Sequence, residues 1–327
     1  MTKYIHYGSH SFQPDKFQPI KNQEWGTTKP IGGMWASPIE NDELGKRMKT
    51  YYEEVPKTRL MRRCPVIIRI DGRSFHSYCK GFKKPFDEVL IRSMQDTMMY
   101  MCKNIQGCVL GYSQSDEISL LLIDYKRLNS QAFFDYEIQK VCSITASMAT
   151  LAFNRAFDEH YSRVHPDFNF YEDKFDFAEA EEYGYDPRTP EGMEEIKKYS
   201  DAYQKVSCWM TDGGAMFDSR CFNIPVEEVT NYFYWRQLDA TRNSIQMVGQ
   251  ANFSHKELQN KSCNDIQDML HEQKGINWND IPTHQKRGSC CIKTKQLVNG
   301  IERSKWIVDN EIPIFVNDGR NYIERLI

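Results

Sequence analysis

An α+β fold is predicted for this chain: an antiparallel sheet with helices packed on it, followed by a helical C-terminal region. Three observations predict it. Short β-branched or aliphatic runs occur at Val66 to Ile70, Cys108 to Tyr112 and Glu117 to Tyr125. Long helical patterns separate them, at Asp87 to Asn104 and Phe133 to Phe157. Counted from Pro65, the order is strand, helix, strand, strand, helix, strand, which is the split βαβ, ferredoxin-like arrangement.

Residues 1–40 contain Gly, Pro, Gln and scattered aromatics without periodicity and read as an extended arm. Asn41-Asp42-Glu43-Leu44 supplies a cap and an acidic first turn for a helix running to about Glu53. Val66 to Ile70 is nearly continuous in apolar residues and reads as a buried strand. From Asp87, a plausible N-cap, Val89-Leu90, Met94, Met98-Met99 and Met101-Cys102 recur at helical spacing. Such a stripe packs on a sheet more often than it lines a cofactor site. Cys108 to Tyr112 and Glu117 to Tyr125 form a hairpin. The helix over Phe133 to Phe157 carries small residues at Ser143, Ala146, Ser147 and Ala149 that permit close packing. The last strand of the unit spans Gly214 to Asn223.

An acidic, aromatic-rich stretch at about 159–206 interrupts this unit, with Asp186-Pro187 and Thr189-Pro190 as breakers. It reads as a surface excursion of a catalytic domain covering 41–225, because long loop insertions cost little. Residues 226–327 read as a helical C-terminal region ending in a β-hairpin, with Asn299-Gly300 as its turn.

At 327 residues, with 40% hydrophobic and 13% aromatic content, the chain can bury a substantial core. No stretch approaches the roughly 20 apolar residues of a bilayer span, and the N-terminus is not signal-like, so a cytoplasmic protein is expected. The ten cysteines include no Cys-x-x-Cys pair, which argues for reduced core thiols and against a zinc site. The net charge of −3 is unusual for a nucleic-acid binder. The acid is concentrated between Asp173 and Glu195, however, while Lys80-Gly81-Phe82-Lys83-Lys84 and Lys286-Arg287 are basic, leaving room for a local RNA-binding face.

Carboxylates stand at two strand ends. Asp71 ends Val66-Ile67-Ile68-Arg69-Ile70-Asp71, and Asp116-Glu117 precede Ile118-Ser119-Leu120-Leu121-Leu122. Antiparallel neighbours can bring Asp71 and Asp116 to one sheet edge. Crowded carboxylates repel and need a cation, for which Mg²⁺ held by one or two carboxylates plus substrate phosphates is the usual answer. Such sites serve phosphoryl and nucleotidyl transfer. The competing reading is a plain Asp-Gly turn followed by a polar loop.

The segments Ile70-Asp71-Gly72-Arg73-Ser74-Phe75-His76, Phe82-Lys83-Lys84-Pro85-Phe86-Asp87 and Gly111-Tyr112-Ser113-Gln114-Ser115-Asp116-Glu117 resemble the catalytic motifs of the histidine-tRNA guanylyltransferase superfamily, the reverse (3′-to-5′) nucleotide polymerases. The resemblance runs from about Leu44 to Lys295. It implies a polymerase-palm-like domain, two Mg²⁺ ions, ATP and GTP as substrates, a tRNA partner and a homotetramer. It implies metal ligation by Asp71, Asp116 and the Gly72 carbonyl, with Glu117 as a further catalytic residue or else a surface neighbour. Nucleotide contacts are implied for Lys84, Ser115 and Asp87, the last also explicable as a helix cap. His76 is a further nucleotide-binding candidate, its rival reading a partly buried imidazole bonded to backbone. Lys140 is implied to hold phosphates, its rival being a solvated helix lysine. Lys286 and Arg287 suit phosphate or tRNA contact, or form a simple exposed pair.

One departure bears on substrate. In Asp239-Ala240-Thr241-Arg242-Asn243, Thr241 stands where enzymes dedicated to histidine tRNA carry a histidine, while Asn243 is kept as a nucleotide-binding candidate and Arg236, in Trp235-Arg236-Gln237, as a tRNA contact. This pattern is similar to the guanylyltransferase-like branch, and implies template-dependent repair of 5′-truncated tRNA. Rival expectations are G addition to histidine tRNA, a palm-type nucleotide cyclase, and a non-catalytic RNA-binding protein.

Overall fold

A computed structural model describes residues 4–6, 36–164, 181–186, 188–208, 211, 213–298 and 301–327. The chain divides into two compact units, Met1–Thr58 and Arg59–Ile327. In the first, strands β1 (Tyr4–His6) and β2 (Ala36–Pro38) pair antiparallel, and helix α1 (Ile39–Met48) passes into a π-helical turn, Lys49–Glu53.

The second unit holds strand β3 (Val66–Gly72), the short helix α2 (Phe75–Tyr78), helix α3 (Glu88–Asn104), strands β4 (Cys108–Gln114) and β5 (Glu117–Leu122), and the long helix α4 (Ile138–Val164). Helix α5 (Pro190–Gln204), strand β6 (Phe217–Asn223) and the 27-residue helix α6 (Val226–Asn252) follow. Short helices α7 (His255–Leu258), α8 (Cys263–Lys274) and α9 (Thr283–Arg287) lead into strands β7 (Ser289–Val298) and β8 (Ile301–Asp309), and helix α10 (Asn321–Glu324) ends the chain. The sheet order is β6-β3-β5-β4-β7-β8, with every neighbour antiparallel. The α+β expectation is met. The terminal hairpin does not stand apart from the sheet, because β7 pairs with β4 from Leu110↔Ile292 to Ser113↔Ser289. Its expected turn at Asn299-Gly300 lies outside the described residues.

Alternation along β3 explains the layers. Val66, Ile68 and Ile70 join Ile118, Leu120 and Leu122 in a core with the apolar sides of α3 and α4. The other face buries Ile67, Leu110, Tyr112 and Leu121 beneath Val229 and Phe233 of α6. Both faces are apolar in mid-strand, so the sheet is a central layer with helices on each side. Asp87 caps α3 as expected, its carboxylate accepting from the Leu90 N–H at 3.0 Å.

The described part of the 159–206 stretch departs from the surface excursion expected of it. Tyr183, Tyr185, Ile196 and Tyr203 are buried in the α4-side core, and His160 bonds the Tyr183 hydroxyl. Tyr183, Tyr185 and Tyr203 dock the described part of the segment, since each ring brings a large apolar area and a polar tip that finds a partner.

Phe153 of α4 is fully buried and touches Phe75, Tyr78, Phe157 and Phe217 at centroid distances of 5.3 to 5.9 Å. Through Phe75 and Phe217 it holds the ends of β3 and β6. Phe153→Ala is expected to destabilise the protein by about 3–5 kcal/mol, measured by urea unfolding. A cost below about 1 kcal/mol would mean that this cluster does not hold the strand ends.

Candidate active site

Two antiparallel pairings put acidic residues at one edge of the sheet. Asp71 sits opposite Glu117 of β5 and opposite Asp218 of β6. The β4–β5 loop consists of Ser115 and Asp116 alone, closed by the pair Gln114↔Glu117. Ser115 takes the first loop position with φ 49°, a left-handed backbone usually left to glycine. The turn delivers Asp116 against the end of β3, where the Gly72 N–H donates to the Asp116 carbonyl at 3.0 Å. Asp71, Gly72 and Asp116 therefore share one corner, although 45 positions separate the two aspartates.

Gly72 has a packing reason to lack a side chain. A Cβ there would stand 2.3 Å from Cδ2 of Phe75, whose ring covers the strand end. Burial raises the Asp116 carboxyl above its ordinary range, the Asp71 charge adds to the rise, and the Ser115 hydroxyl bond opposes it. A carboxyl so placed favours a cation. No group of three or more His, Cys, Asp or Glu side chains among the described residues is arranged to hold a metal. Two carboxylates and a main-chain carbonyl suit Mg²⁺, which takes few protein ligands and completes its shell with phosphate oxygens and water.

Glu117 departs from the expected third catalytic role. It is 3% exposed, and both oxygens are taken: Oε1 by Nε of Arg236 at 2.8 Å, Oε2 by Nη2 of Arg69 at 2.7 Å. Arg236 also reaches Asp239 at 2.6 Å and lies under the Trp235 ring, 4.2 Å from its centroid. This buried guanidinium therefore does not contact tRNA as expected; it neutralises Glu117 and ties α6 to the sheet. Arg69 also lies 3.9 Å from Oδ2 of Asp71, and Arg220 of β6 lies 4.0 Å from it. Sequence reasoning passed over Arg69, although a lone arginine in an aliphatic strand is itself a signal, since a buried cation needs a partner.

Beside this corner a cleft is lined by Phe86, Asp87, Leu90, Ser115, Asn243, Met247, His284 and Gln285. It joins Asp87, Ser115 and Asn243, three nucleotide-binding candidates. Asp87 is part of the wall and not an open acceptor: its carboxylate receives the Leu90 and Lys83 N–H groups and, at 2.7 Å, the Tyr203 hydroxyl. The exposed Lys84 opens onto a neighbouring groove with Gln246, Gln250, His255 and Lys261.

Other candidates lie elsewhere. Lys140 stacks on Phe134, 5.0 Å from its centroid, near the first turn of α4. That helix meets the site end of the sheet around Thr150, Phe153 and Asn154: Thr150 and Asn154 bond Phe217 and Ala215, and the Phe153 ring packs on Phe217. Ten helical residues place Lys140 roughly 15 Å further back, so it does not join the cleft. Lys286 is 7% exposed, gives its ammonium to the Asn279 carbonyl and lies over Trp278; burial pulls its pKa down. The exposed phosphate-contact role expected of it is thereby lost. Arg287 is half-buried, and its carbonyl accepts from the Tyr112 hydroxyl. His76 is exposed on α2, its Nε2 3.0 Å from the Ser77 hydroxyl and outside the cleft lining.

Residues 45–225 match the tRNAHis guanylyltransferase family model. A bacterial tRNA(His) guanylyltransferase-like protein solved in complex with ATP is 40% identical, with a TM-score of 0.65, over 86% of this chain and 98% of that one. A second such bacterial structure, in complex with GTP, is 38% identical with a TM-score of 0.64, over 87% and 99%. The tRNA(His) guanylyltransferase of Saccharomyces cerevisiae is 23% identical over 256 residues, 73% of this chain and 87% of that protein.

The Glu117–Arg236 pair yields a test. Arg236→Ala leaves Glu117 buried with one partner fewer and is expected to cost about 3–5 kcal/mol in urea unfolding. Adding Glu117→Gln should recover part of that loss. If Arg236→Ala weakened RNA binding with stability unchanged, Arg236 would be an RNA contact after all.

Proposed function

Because the chain belongs to the tRNAHis guanylyltransferase family, and is therefore a nucleotidyltransferase, we propose that it extends tRNA 5′ ends in the 3′-to-5′ direction, filling in missing nucleotides opposite a template base. The observation that carries this reading is the corner where Asp71 and Asp116 meet, bound together by the Gly72 N–H and opening beside a cleft. Asp71, Asp116 and the Gly72 carbonyl would hold Mg²⁺. Bound there, the metal supplies charge neutralisation to a triphosphate and makes an attacking hydroxyl more acidic.

The chain's own residues do the remaining work. Ser115 and Asn243 line the cleft that would seat a nucleoside triphosphate, and Phe86, Leu90 and Met247 give it apolar walls for a base to pack on. Lys84 offers an exposed point charge to the phosphates. In the first step the RNA 5′-phosphate attacks the α-phosphorus of the triphosphate and pyrophosphate leaves. In the second, the 3′-hydroxyl of an incoming nucleotide attacks the activated 5′-phosphorus, and the nucleoside monophosphate departs. Positioning contributes most to such a reaction, because phosphoryl transfer needs little covalent help from the protein.

Thr241 supports the templated reading over dedicated G addition. A neutral, shorter side chain at the half-buried position on α6 cannot charge or stack as imidazole does. Pairing with the 3′ side of the acceptor would then choose the nucleotide.

Asp71→Ala is expected to lower turnover by at least about 100-fold while leaving the urea midpoint unchanged or higher. Near-normal turnover would remove Asp71 from the metal site. Lys84→Ala should raise the KM for triphosphate by about tenfold or more and leave tRNA affinity unaltered, whereas equal losses would assign Lys84 to RNA. The decisive assay offers all four triphosphates to 5′-truncated tRNAs that differ only in the opposing base. The added nucleotide should follow that base. Addition of G whatever the base, or activity confined to full-length histidine tRNA, would favour the other reading.

A further inference from the structure

Trp235 lies one guanidinium, that of Arg69, away from the catalytic corner, and it is not among the residues lining the cleft. Its indole is 53% exposed, an unusual state for so large an apolar ring next to a charged site. It is also held firmly. Arg236 lies 4.2 Å from the ring centroid and Arg69 5.9 Å, both fixed by the buried Glu117, while Tyr232 meets the ring edge-on at 6.0 Å. An exposed aromatic that is rigid before binding loses little entropy when something stacks on it.

We propose that Trp235 is the stacking platform for the terminal nucleobase of the RNA acceptor end. Arg69 connects it to the chemistry, since the guanidinium that approaches the indole also lies 3.9 Å from Oδ2 of Asp71. The ring is therefore within about one nucleotide's length of the catalytic corner. It also stands on the opposite side from the cleft. The cleft is reached from β4 and the start of β7 through Gln114, Ser115 and Gly288, whereas the ring neighbours Arg69 of β3, whose other partner is β6. A reaction that joins two nucleotides needs a base on each side of the reacting phosphate, and this arrangement supplies two places. The open side carries one exposed guanidinium: Arg220, 52% exposed, pairs with the exposed Asp218 at 2.8 Å and lies 4.0 Å from Asp71, and a solvent-exposed pair of this kind can exchange its carboxylate for the phosphate of an incoming 5′ end. Stacking accepts any base, because every base has a π-face. That property is what a template-directed enzyme requires of its acceptor contact.

The inference rests on the reading that the substrate is RNA, and its test separates the two. Trp235→Phe, Trp235→Leu and Trp235→Ala are compared with wild type for affinity toward a 5′-truncated tRNA, for triphosphate KM and for nucleotide addition, after unfolding curves confirm that each is folded. The expected result is an RNA affinity reduced about tenfold or more in Trp235→Ala and Trp235→Leu and nearly preserved in Trp235→Phe, with triphosphate KM unchanged in all three. The chain has six tryptophans, so the fluorescence difference between wild type and Trp235→Phe isolates this one, and RNA should quench it. Wild-type RNA affinity in Trp235→Ala would overturn the proposal, as would parallel loss of triphosphate binding, which marks a structural role. RNA that quenches Trp235 while wild type adds no nucleotide would keep the platform and sink the proposed reaction.

Discussion

One main-chain hydrogen bond, from the Gly72 N–H to the Asp116 carbonyl, joins the two halves of the site. It extends the β3–β5 pairing by one contact past Asp71↔Glu117 and clips the two-residue β4–β5 turn to the end of β3. A carboxylate on a free turn would swing away from another carboxylate. Here the backbone fixes both, so their repulsion is built into the fold and remains for a bound cation to relieve. The bond in turn depends on the Phe75 ring that occupies the space where a Gly72 side chain would stand, and on the aromatic cluster behind it. Core packing and site geometry meet at a single glycine.

The electrostatics around that corner separate the acidic residues by partner. Glu117 is neutralised by Arg69 and Arg236 and is structural, anchoring α6 across the sheet face. Asp71 has only distant guanidiniums, at 3.9 and 4.0 Å, and keeps about a third of its surface open. A buried ion pair gains little net stability, because desolvation consumes most of the Coulombic attraction. Its consequence is registry. Helix α6 is locked so that Asn243 and Met247 line the cleft and Trp235 stacks against the Arg236 and Arg69 guanidiniums.

Much of this was legible in the sequence where the signal is local. The β3 run, the Asp87 cap, the methionine stripe of α3 and the two-residue acidic turn each sit within a short window whose periodicity or capping chemistry reports directly on structure. Asp71 and Asp116 could be paired in advance because each marks a strand end. What failed was long-range. Lys286 reads as exposed beside Arg287, yet Asn279 and Trp278 close over it. Arg236 reads as an RNA contact because its partner Glu117 is 119 positions away. Lys140 belongs to a helix whose direction along the sheet no local pattern states. The tyrosines at 183, 185 and 203 looked like a surface insertion because the core that receives them is assembled from α3, α4 and the segment after α2. Burial of polar groups is a property of the whole fold, and a one-residue pattern does not contain it.

In the proposed site, Asp71 and Asp116 act as one cation-dependent pair. Calorimetric titration of ATP, with and without Mg²⁺, into wild type, Asp71→Asn and Asp116→Asn tests it most directly. The account predicts Mg²⁺-dependent binding in wild type, weakened about tenfold or more in each variant, with the residual affinity no longer responding to Mg²⁺. Binding by either variant that keeps the wild-type affinity and the wild-type response to Mg²⁺ would contradict it.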